Sequence, residues 1–252
     1  MKKFFLILIF FLTCFTSMAQ KVALKNLTTF DDKRLHFGFT LGVNTADFSI
    51  VHYNVMSENP VFMQSNNSVD QQYINDTIRA DIAHINPGFT VGMVMNLRLS
   101  EDFDLRFLPG MSFAERKLTY NIPIEDINSD VTKEESYSIK STFLDFPLLF
   151  KYKARRMNNQ RPYVIGGIAT RIDISKTGED DLVRLKAQNP SLEAGFGWDT
   201  YLQFFRLSTE LRFSFGLSNI LDTGPKITQP QVYTGAFSSL KSNIFTLSFH
   251  FE

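Results

Sequence analysis

Apolar and polar residues alternate with a period of two along most of the chain after residue 34. Such alternation is typical of β-strands that have one apolar and one polar face. In the clearest stretch, Phe89, Val91 and Met93 alternate with Thr90 and Gly92. The alternation predicts eight strands, near residues 35–44, 89–99, 103–113, 144–152, 164–174, 192–202, 205–215 and 245–251.

The connections between these strands alternate in length. The predicted loops 45–86, 119–136, 175–190 and 218–242 are long, whereas the turns 100–102, 153–161 and 203–204 are short. Long loops at one end and short turns at the other are typical of bacterial outer-membrane β-barrels, whose short turns are periplasmic. Both termini are therefore expected in the periplasm. After residue 20 no apolar run is long enough for a spanning helix, which excludes a helical membrane protein.

The side-chain volume of the apolar face decides between a membrane barrel and a soluble lipocalin-like barrel. The interior of an eight-stranded barrel holds only its own side chains or one small ligand. Roughly five bulky residues per strand cannot fit there, whereas the glycines and charges of the opposite face can. The predicted fold is therefore all-β: an eight-stranded antiparallel up-and-down transmembrane β-barrel whose apolar face contacts outer-membrane lipid.

The hairpins give a testable register. If the turn 100–102 has three residues, Arg98 faces Asp104 inside the barrel. If the turn 203–204 has two residues, Gly197 faces Glu210. A slip by one residue would exchange the two faces of a strand, so the apolar pattern favours this register.

The first twenty residues have the features of a secretory signal peptide. Two lysines precede an apolar run, and small residues lie before a cleavage site at Gln20. A membrane anchor and a lipoprotein acylated at Cys14 are the alternatives. The predicted organisation is a signal peptide at 1–19, a short periplasmic N-terminal segment at 20–33 and the barrel at 34–252.

Composition narrows the function. The chain has 252 residues and zero formal net charge, which argues against general nucleic-acid binding. Its one cysteine, Cys14, lies in the leader, so disulfide scaffolds, zinc fingers and cysteine-dependent enzymes are excluded. No cofactor and no small-molecule substrate is predicted.

The polar face of the predicted barrel carries charges of both signs. Opposite charges can pair in a low-dielectric interior, so we expect a structural network that fills the lumen. A proton or ion path is the alternative, whereas a wide solute pore needs about 16 strands or more. The predicted network is Arg98, Asp104, Arg106, Asp145, Arg171, Glu193, Asp199, Arg206, Glu210 and Arg212, with Lys151 and Asp173 on the same face.

Two further groups are candidate sites. His36 and His250 share the lumen face of the first and last strands and could form a pair that senses pH or binds a metal. Two histidines are a weak metal signal, and no metal site is predicted. The turn near 153–161 is basic, and a periplasmic partner could dock there electrostatically. The alternative is that the turn is only solvated. Its cations are Lys153, Arg155, Arg156 and Arg161.

Catalysis is not expected. The sequence has no Gly-x-Ser-x-Gly or His-Glu-x-x-His motif, and after the leader it has no cysteine nucleophile. The long loops are acidic, as in the run 179–181, and are expected to be solvated.

Several short runs, taken in order, resemble the PorT family of small outer-membrane barrels. The resemblance spans about residues 34–251. The runs are RLHFG at 34–38 with its continuation to 48, LRFLPG at 105–110, FAER at 113–116, FLDFPLL at 143–149, RPY at 161–163 with GG at 166–167, GFGWD at 195–199 and ELRFSFG at 210–216.

This resemblance implies a non-enzymatic accessory or assembly component of type IX protein secretion, and of gliding motility in organisms that glide. It implies other secretion components as partners and carries over no catalytic residue. The alternative is a stand-alone small outer-membrane barrel with a structural, adhesive or lipid-modifying role.

Overall fold

A computed structural model of the chain describes residues 26–60, 62–64, 73–123, 132–175, 183, 185–222 and 232–252. The predicted signal peptide, residues 1–19, lies outside the described residues. None of the described helices has the length and hydropathy needed to cross a membrane.

The described residues form one antiparallel sheet that closes on itself. From β10 back to β6, each strand pairs with the one before it in the chain. β6 then pairs with β4 and β5, which pair with β3, and β1 closes the ring by pairing with both β10 and β3. The strands are β1 Leu35–His52, β2 Arg79–Ile85, β3 Pro87–Arg98, β4 Phe103–Phe107, β5 Gly110–Pro123, β6 Thr132–Lys153, β7 Gln160–Asp173, β8 Gln188–Tyr201, β9 Arg206–Gly216 and β10 Phe237–Phe251. Short helical turns at Phe30–Asp32, Met56–Glu58, Phe62–Gln64 and Val232–Gly235 lie between or before them.

The predicted up-and-down barrel is confirmed, but the structure has ten strands where eight were predicted. β2 is an additional strand, since it lies within residues 45–86, which were predicted as a loop, and ends before Pro87. The predicted strand 103–113 is divided at Pro109 into β4 and β5. Proline has no backbone N–H to donate to the ladder, so it interrupts the pairing there. The four strands still form one long hairpin: β3 pairs with β4 and with the start of β5, and β2 pairs with the rest of β5.

The predicted hairpin register is also confirmed. Arg98 is the Cα partner of Asp104, and Gly197 is the partner of Glu210. The short turns 99–102, 154–159 and 202–205 lie at one end of the barrel, here called the turn end. The opposite end is called the loop end.

The outward face of the barrel is apolar. Phe37, Met93 and Ile168 are 60%, 66% and 61% exposed, although they are large hydrophobic side chains. Cross-strand aromatic pairs add to this surface, as where the rings of Phe89 and Phe113 stack 4.4 Å apart between centroids. Such a surface is favourable only against another apolar phase, so the volume argument made from the sequence holds.

The polarity of the two faces inverts near one level of the barrel. Along β1 the outward side chains are apolar as far as Val43 and become polar at Asp47. The inward side chains change in the opposite sense, from Asn44 to Phe48. Above this level β1, β2, β5, β6 and β10 continue as a sheet with an apolar interior, so much of 45–52, 79–86, 119–123 and 132–136, predicted as loop, is strand.

The inverted part of the barrel encloses a hydrophobic core at the loop end. We call this core the apolar cap. It combines side chains from the extended strands with side chains from the connections between them. Its buried members are Phe48, Met56, Phe62, Ile78, Ala80, Leu118, Tyr120, Val183, Ile220, Leu221, Ala236, Phe237 and Leu240.

Candidate functional site

A cluster of buried charges around Glu210 fills the middle of the lumen. The Arg106 guanidinium donates to Glu210 Oε2 at 2.9 Å, and the Tyr163 hydroxyl donates to the same oxygen at 3.0 Å. His250 Nε2 lies 3.4 Å and Arg212 Nη1 lies 4.0 Å from the other carboxylate oxygen. A buried carboxylate is tolerated only when it is paired, so these contacts allow Glu210 to lie inside the barrel.

A second buried pair links β6 to β8. The Lys151 ammonium donates to both carboxylate oxygens of Asp199, at 2.8 and 2.7 Å, and the Ser208 hydroxyl donates to Asp199 at 2.5 Å. The ammonium also lies 3.7 Å from the centroid of the Tyr163 ring. A Cβ atom at Gly197 would overlap the Tyr163 hydroxyl group, so glycine there makes room for this ring.

Toward the loop end, the charges continue through Arg171. Its guanidinium donates to Glu193 at 2.6 Å and lies 3.1 Å from the Asp145 carboxylate. Glu193 is also 3.4 Å from Arg212, which connects this group to the cluster around Glu210. The Ser112 hydroxyl donates to Asp145 and ends the connected series of charges on this side.

Toward the turn end, the charges continue through Asp104. The Lys153 ammonium donates to one carboxylate oxygen of Asp104 at 2.5 Å, and the Asn96 amide donates to the other at 2.9 Å. The Glu252 side chain accepts from Arg106 at 3.2 Å and from Arg206. We call the linked set the salt-bridge network. Its members are Asp104, Arg106, Asp145, Lys151, Lys153, Arg171, Glu193, Asp199, Arg206, Glu210, Arg212, His250 and Glu252.

The structure brings together every charge of the predicted lumen set except Arg98 and Asp173. Arg98 is the last residue of β3, and its side chain donates to the backbone carbonyl oxygens of Asp31 and Ser100 at the rim. Asp173 is half-buried near the loop end and accepts from the Ser175 backbone N–H at 2.9 Å. Both lie near strand ends, where long or hydrated side chains reach out of the lumen.

In and around the salt-bridge network, sequence reasoning missed Lys153, Tyr163 and Glu252. Lys153 shares the odd-numbered phase of β6 with Asp145 and Lys151, so the alternation could have placed it inside. Tyr163 also lies on the inward phase of its strand. Glu252 follows the last strand, but it has the same parity as Thr246, Ser248 and His250, so the alternation could have placed it inside as well.

The segment before β1 lies across the turn end of the lumen. The Phe30 ring stacks on His36 with 4.2 Å between centroids and meets Tyr201 edge-on at 6.1 Å. The Arg206 guanidinium lies 4.7 Å from the Phe30 centroid. The Asp31 carboxylate accepts from the Tyr201 hydroxyl at 3.0 Å. Residues 26–33, here called the N-terminal segment, therefore cover the lumen at this end.

The basic turn is largely occupied by contacts within the chain. Lys153 belongs to the salt-bridge network. Arg161 Nη1 lies 3.5 Å from the Asp31 carboxylate, and Arg156 donates to a backbone carbonyl oxygen of the N-terminal segment at 3.2 Å. Of the four predicted cations, only Arg155 is exposed. The predicted partner-contact surface on this turn is therefore reduced to Arg155, since the N-terminal segment engages the other side chains or covers them.

The two lumen histidines are not brought together. The Cα partner of His250 is Thr40, which lies four residues from His36 along β1, or about 13 Å. His36 Nε2 contacts the Phe30 carbonyl oxygen at 2.8 Å, whereas His250 faces Glu210. In the described parts of the chain, no group of three or more His, Cys, Asp or Glu side chains is placed to hold a metal ion.

Asp31→Asn is expected to loosen the N-terminal segment. A hydrogen bond to a charged group is worth about 1.5–3 kcal/mol, so amide exchange in residues 26–33 should accelerate roughly tenfold to a hundredfold. Hydrogen–deuterium exchange with mass spectrometry would measure it. Asp32→Asn is the matched control, because Asp32 is exposed. In this variant the amide exchange rate of residues 26–33 should stay within about twofold of wild type. Equal acceleration in both variants would contradict the anchoring role of Asp31.

Residues 18–222, more than half of the 252-residue chain, match the protein-family model described as "Outer membrane protein beta-barrel domain". One similar solved structure is OprG from Pseudomonas aeruginosa, with 10% identity, a TM-score of 0.45, and coverage of 86% of this chain and 93% of that chain. Another is Ail, the attachment invasion locus protein of Yersinia pestis, with 10% identity, a TM-score of 0.33, and coverage of 87% and 98%. No curated protein sequence matches the chain.

Proposed function

Because this chain belongs to the outer membrane protein beta-barrel domain family, we propose that it is a non-enzymatic barrel that works through its ends and not as a conduit. Its apolar outward face suits direct contact with outer-membrane lipid. Its termini would lie in the periplasm, since short turns are periplasmic in this class of barrel.

The filled lumen is the observation that carries this proposal. The salt-bridge network runs from Asp104 near the turn end to Asp145, and its side chains are buried. A solute or a polypeptide could pass only if several of these pairs separated. Breaking one buried pair costs about 3–5 kcal/mol, so opening the whole series would cost far more than thermal energy.

The finer proposal is an accessory or assembly role in type IX protein secretion, and in gliding motility where it occurs. The resemblance of seven runs to the PorT family supports it. Four of those runs carry residues of the salt-bridge network, namely Arg106 at 105–110, Asp145 at 143–149, Asp199 at 195–199, and Glu210 with Arg212 at 210–216. The resemblance therefore falls on residues that fill the lumen as well as on outward apolar positions.

Partner contact at the turn end is the mechanism that fits a closed barrel. Phe204 is 88% exposed at the tip of the turn 202–205, and Arg155 is exposed on the turn beside it. An aromatic side chain and a cation that stand clear of the N-terminal segment suit an apolar and acidic surface of a periplasmic secretion component.

Deletion of the gene, with the cargo of type IX secretion quantified in medium and periplasm, tests this role. We expect cargo to accumulate in the periplasm and wild type to restore export. The double variant Arg155→Glu/Phe204→Ser should assemble in the outer membrane and restore less than about a tenth of export. Lys241→Glu, an exposed change near the loop end, is the matched control and should restore export fully. Unchanged export after deletion would overturn the secretion role.

A stand-alone surface role is the second candidate. The extended sheet and the apolar cap form a folded platform at the loop end, where an adhesive contact or a lipid-modifying partner could bind. Normal export combined with altered cell adhesion or envelope lipids after deletion would favour this function over secretion.

A further inference from the structure

Arg116 lies inside the barrel between the salt-bridge network and the apolar cap. On the inward face of β5, Ser112 of the same strand bonds Asp145 on the turn side, and Leu118 belongs to the cap on the loop side. Arg116 is only 1% exposed. Its guanidinium is therefore enclosed at the level where the barrel interior changes from polar to apolar.

The contacts of this guanidinium are aromatic. Its Cζ atom lies 4.3 Å from the centroid of the Phe48 ring and 5.3 Å from that of Phe143. Its Nε and Nη2 atoms are buried and make no hydrogen bond with any described residue. The two rings attract the positive charge but offer no hydrogen-bond acceptor in the guanidinium plane.

Arg116 differs in this from the arginines of the salt-bridge network. Each of those four has a carboxylate oxygen within 4.0 Å, and Arg116 has none among the described residues. Asp47 and Asp173 act on it electrostatically from beyond ion-pair distance, and Arg171 adds a second positive charge nearby. A buried cation without a counter-charge at ion-pair distance is strongly destabilising, so the position beside Arg116 favours a bound negative charge.

Other buried polar atoms near this level also lack partners. They are the hydroxyl oxygens of Ser141 and Ser242 and both amide atoms of Asn189. Ser141 pairs with Ala114, two residues before Arg116 on the same inward face, and Ser242 pairs with Phe48. Hydroxyl and amide groups can donate to a bound anion as well as to water.

We propose that a small monovalent anion of the halide class binds beside Arg116, inside the barrel and at the base of the apolar cap. The guanidinium supplies the charge and the N–H donors, and the unpaired hydroxyls supply further donors. Water alone would satisfy the donors but not the charge. A dianion is disfavoured, because one negative charge already balances the Arg116 guanidinium and the carboxylates of Asp47 and Asp173 oppose a second one.

Bromide is the probe, because it replaces chloride and scatters anomalously. Crystals of the full mature chain, grown from detergent in sodium bromide, should show an anomalous peak in hydrogen-bonding contact with Arg116 Nε or Nη2. The peak should be absent from Arg116→Met and present in Arg155→Met, the matched control with an exposed arginine. A carboxylate of the chain at that position, or no peak there in wild type, would overturn the proposal.

A solution measurement covers the case in which Arg116→Met does not crystallise. Thermal unfolding is compared in sodium bromide and in sodium gluconate at equal ionic strength. Bromide at about 100 times its dissociation constant should raise the midpoint of wild type and of Arg155→Met by roughly 5–10 °C. Arg116→Met should show no such rise. An equal rise in all three proteins, or in none, would contradict the site.

Discussion

Lys151→Met is expected to lower the free energy of unfolding by about 3–5 kcal/mol. The Lys151 and Asp199 side chains are fully buried, and their bonds are 2.8 and 2.7 Å long. Without the ammonium, Asp199 keeps, among the described residues, only the Ser208 hydroxyl and the more distant Arg206, at 3.9 Å. Urea unfolding of the protein in lipid vesicles would measure the difference.

Replacing both partners should be much less harmful than replacing one. Lys151→Met/Asp199→Leu leaves no uncompensated charge, so we expect it to recover more than half of the lost stability. Asp102→Asn is the control for a solvated pair, since Asp102 is half exposed and 3.9 Å from Arg161. It should change stability by less than about 1 kcal/mol. A double variant as unstable as Lys151→Met would show that the unpaired Asp199 carboxylate is not what destabilises the single variant.

The membrane-level part of the barrel could be predicted from the sequence because one physical rule governs it. The bulky residues of 89–99 cannot fit inside an eight-stranded barrel, so they face outward and the intervening residues face inward. That phase, carried across two hairpins, correctly gave the partners Arg98 with Asp104 and Gly197 with Glu210. Most of the salt-bridge network follows from the same phase.

The extensions of the strands could not be predicted in the same way, because the phase changes its meaning above the membrane level. On β1 the polar Asp47 faces outward and the apolar Phe48 faces inward, which is the pattern of a soluble protein. If apolar residues are assumed to face outward throughout, the strand is predicted to end at Asn44. For this reason the sequence predicted neither the apolar cap nor the inward position of Arg116.

The turn end depends on contacts that have no periodic signal. Phe30 and Asp31 precede the first strand, and nothing in the alternation links them to Tyr201 or Arg206. The same contacts occupy the turn that looked like a free basic surface. The predicted histidine pair failed because strands that share a face can still be offset along the barrel axis, as His36 is from His250.

Ile168→Arg is expected to destabilise the barrel by about 2–4 kcal/mol in lipid vesicles. Ile168 is 61% exposed on β7, and its Cα partners Leu148 and Leu192 are also exposed apolar residues. An arginine there would place a charge against acyl chains at the middle of the outward face.

The inversion of polarity supplies the matched control: Ser136 is exposed on β6 above the level where the outward face becomes polar. Ser136→Arg should change the unfolding free energy by less than about 0.5 kcal/mol. A comparable loss in both variants would place the lipid boundary above Ser136, and no loss in Ile168→Arg would mean that this face does not meet lipid.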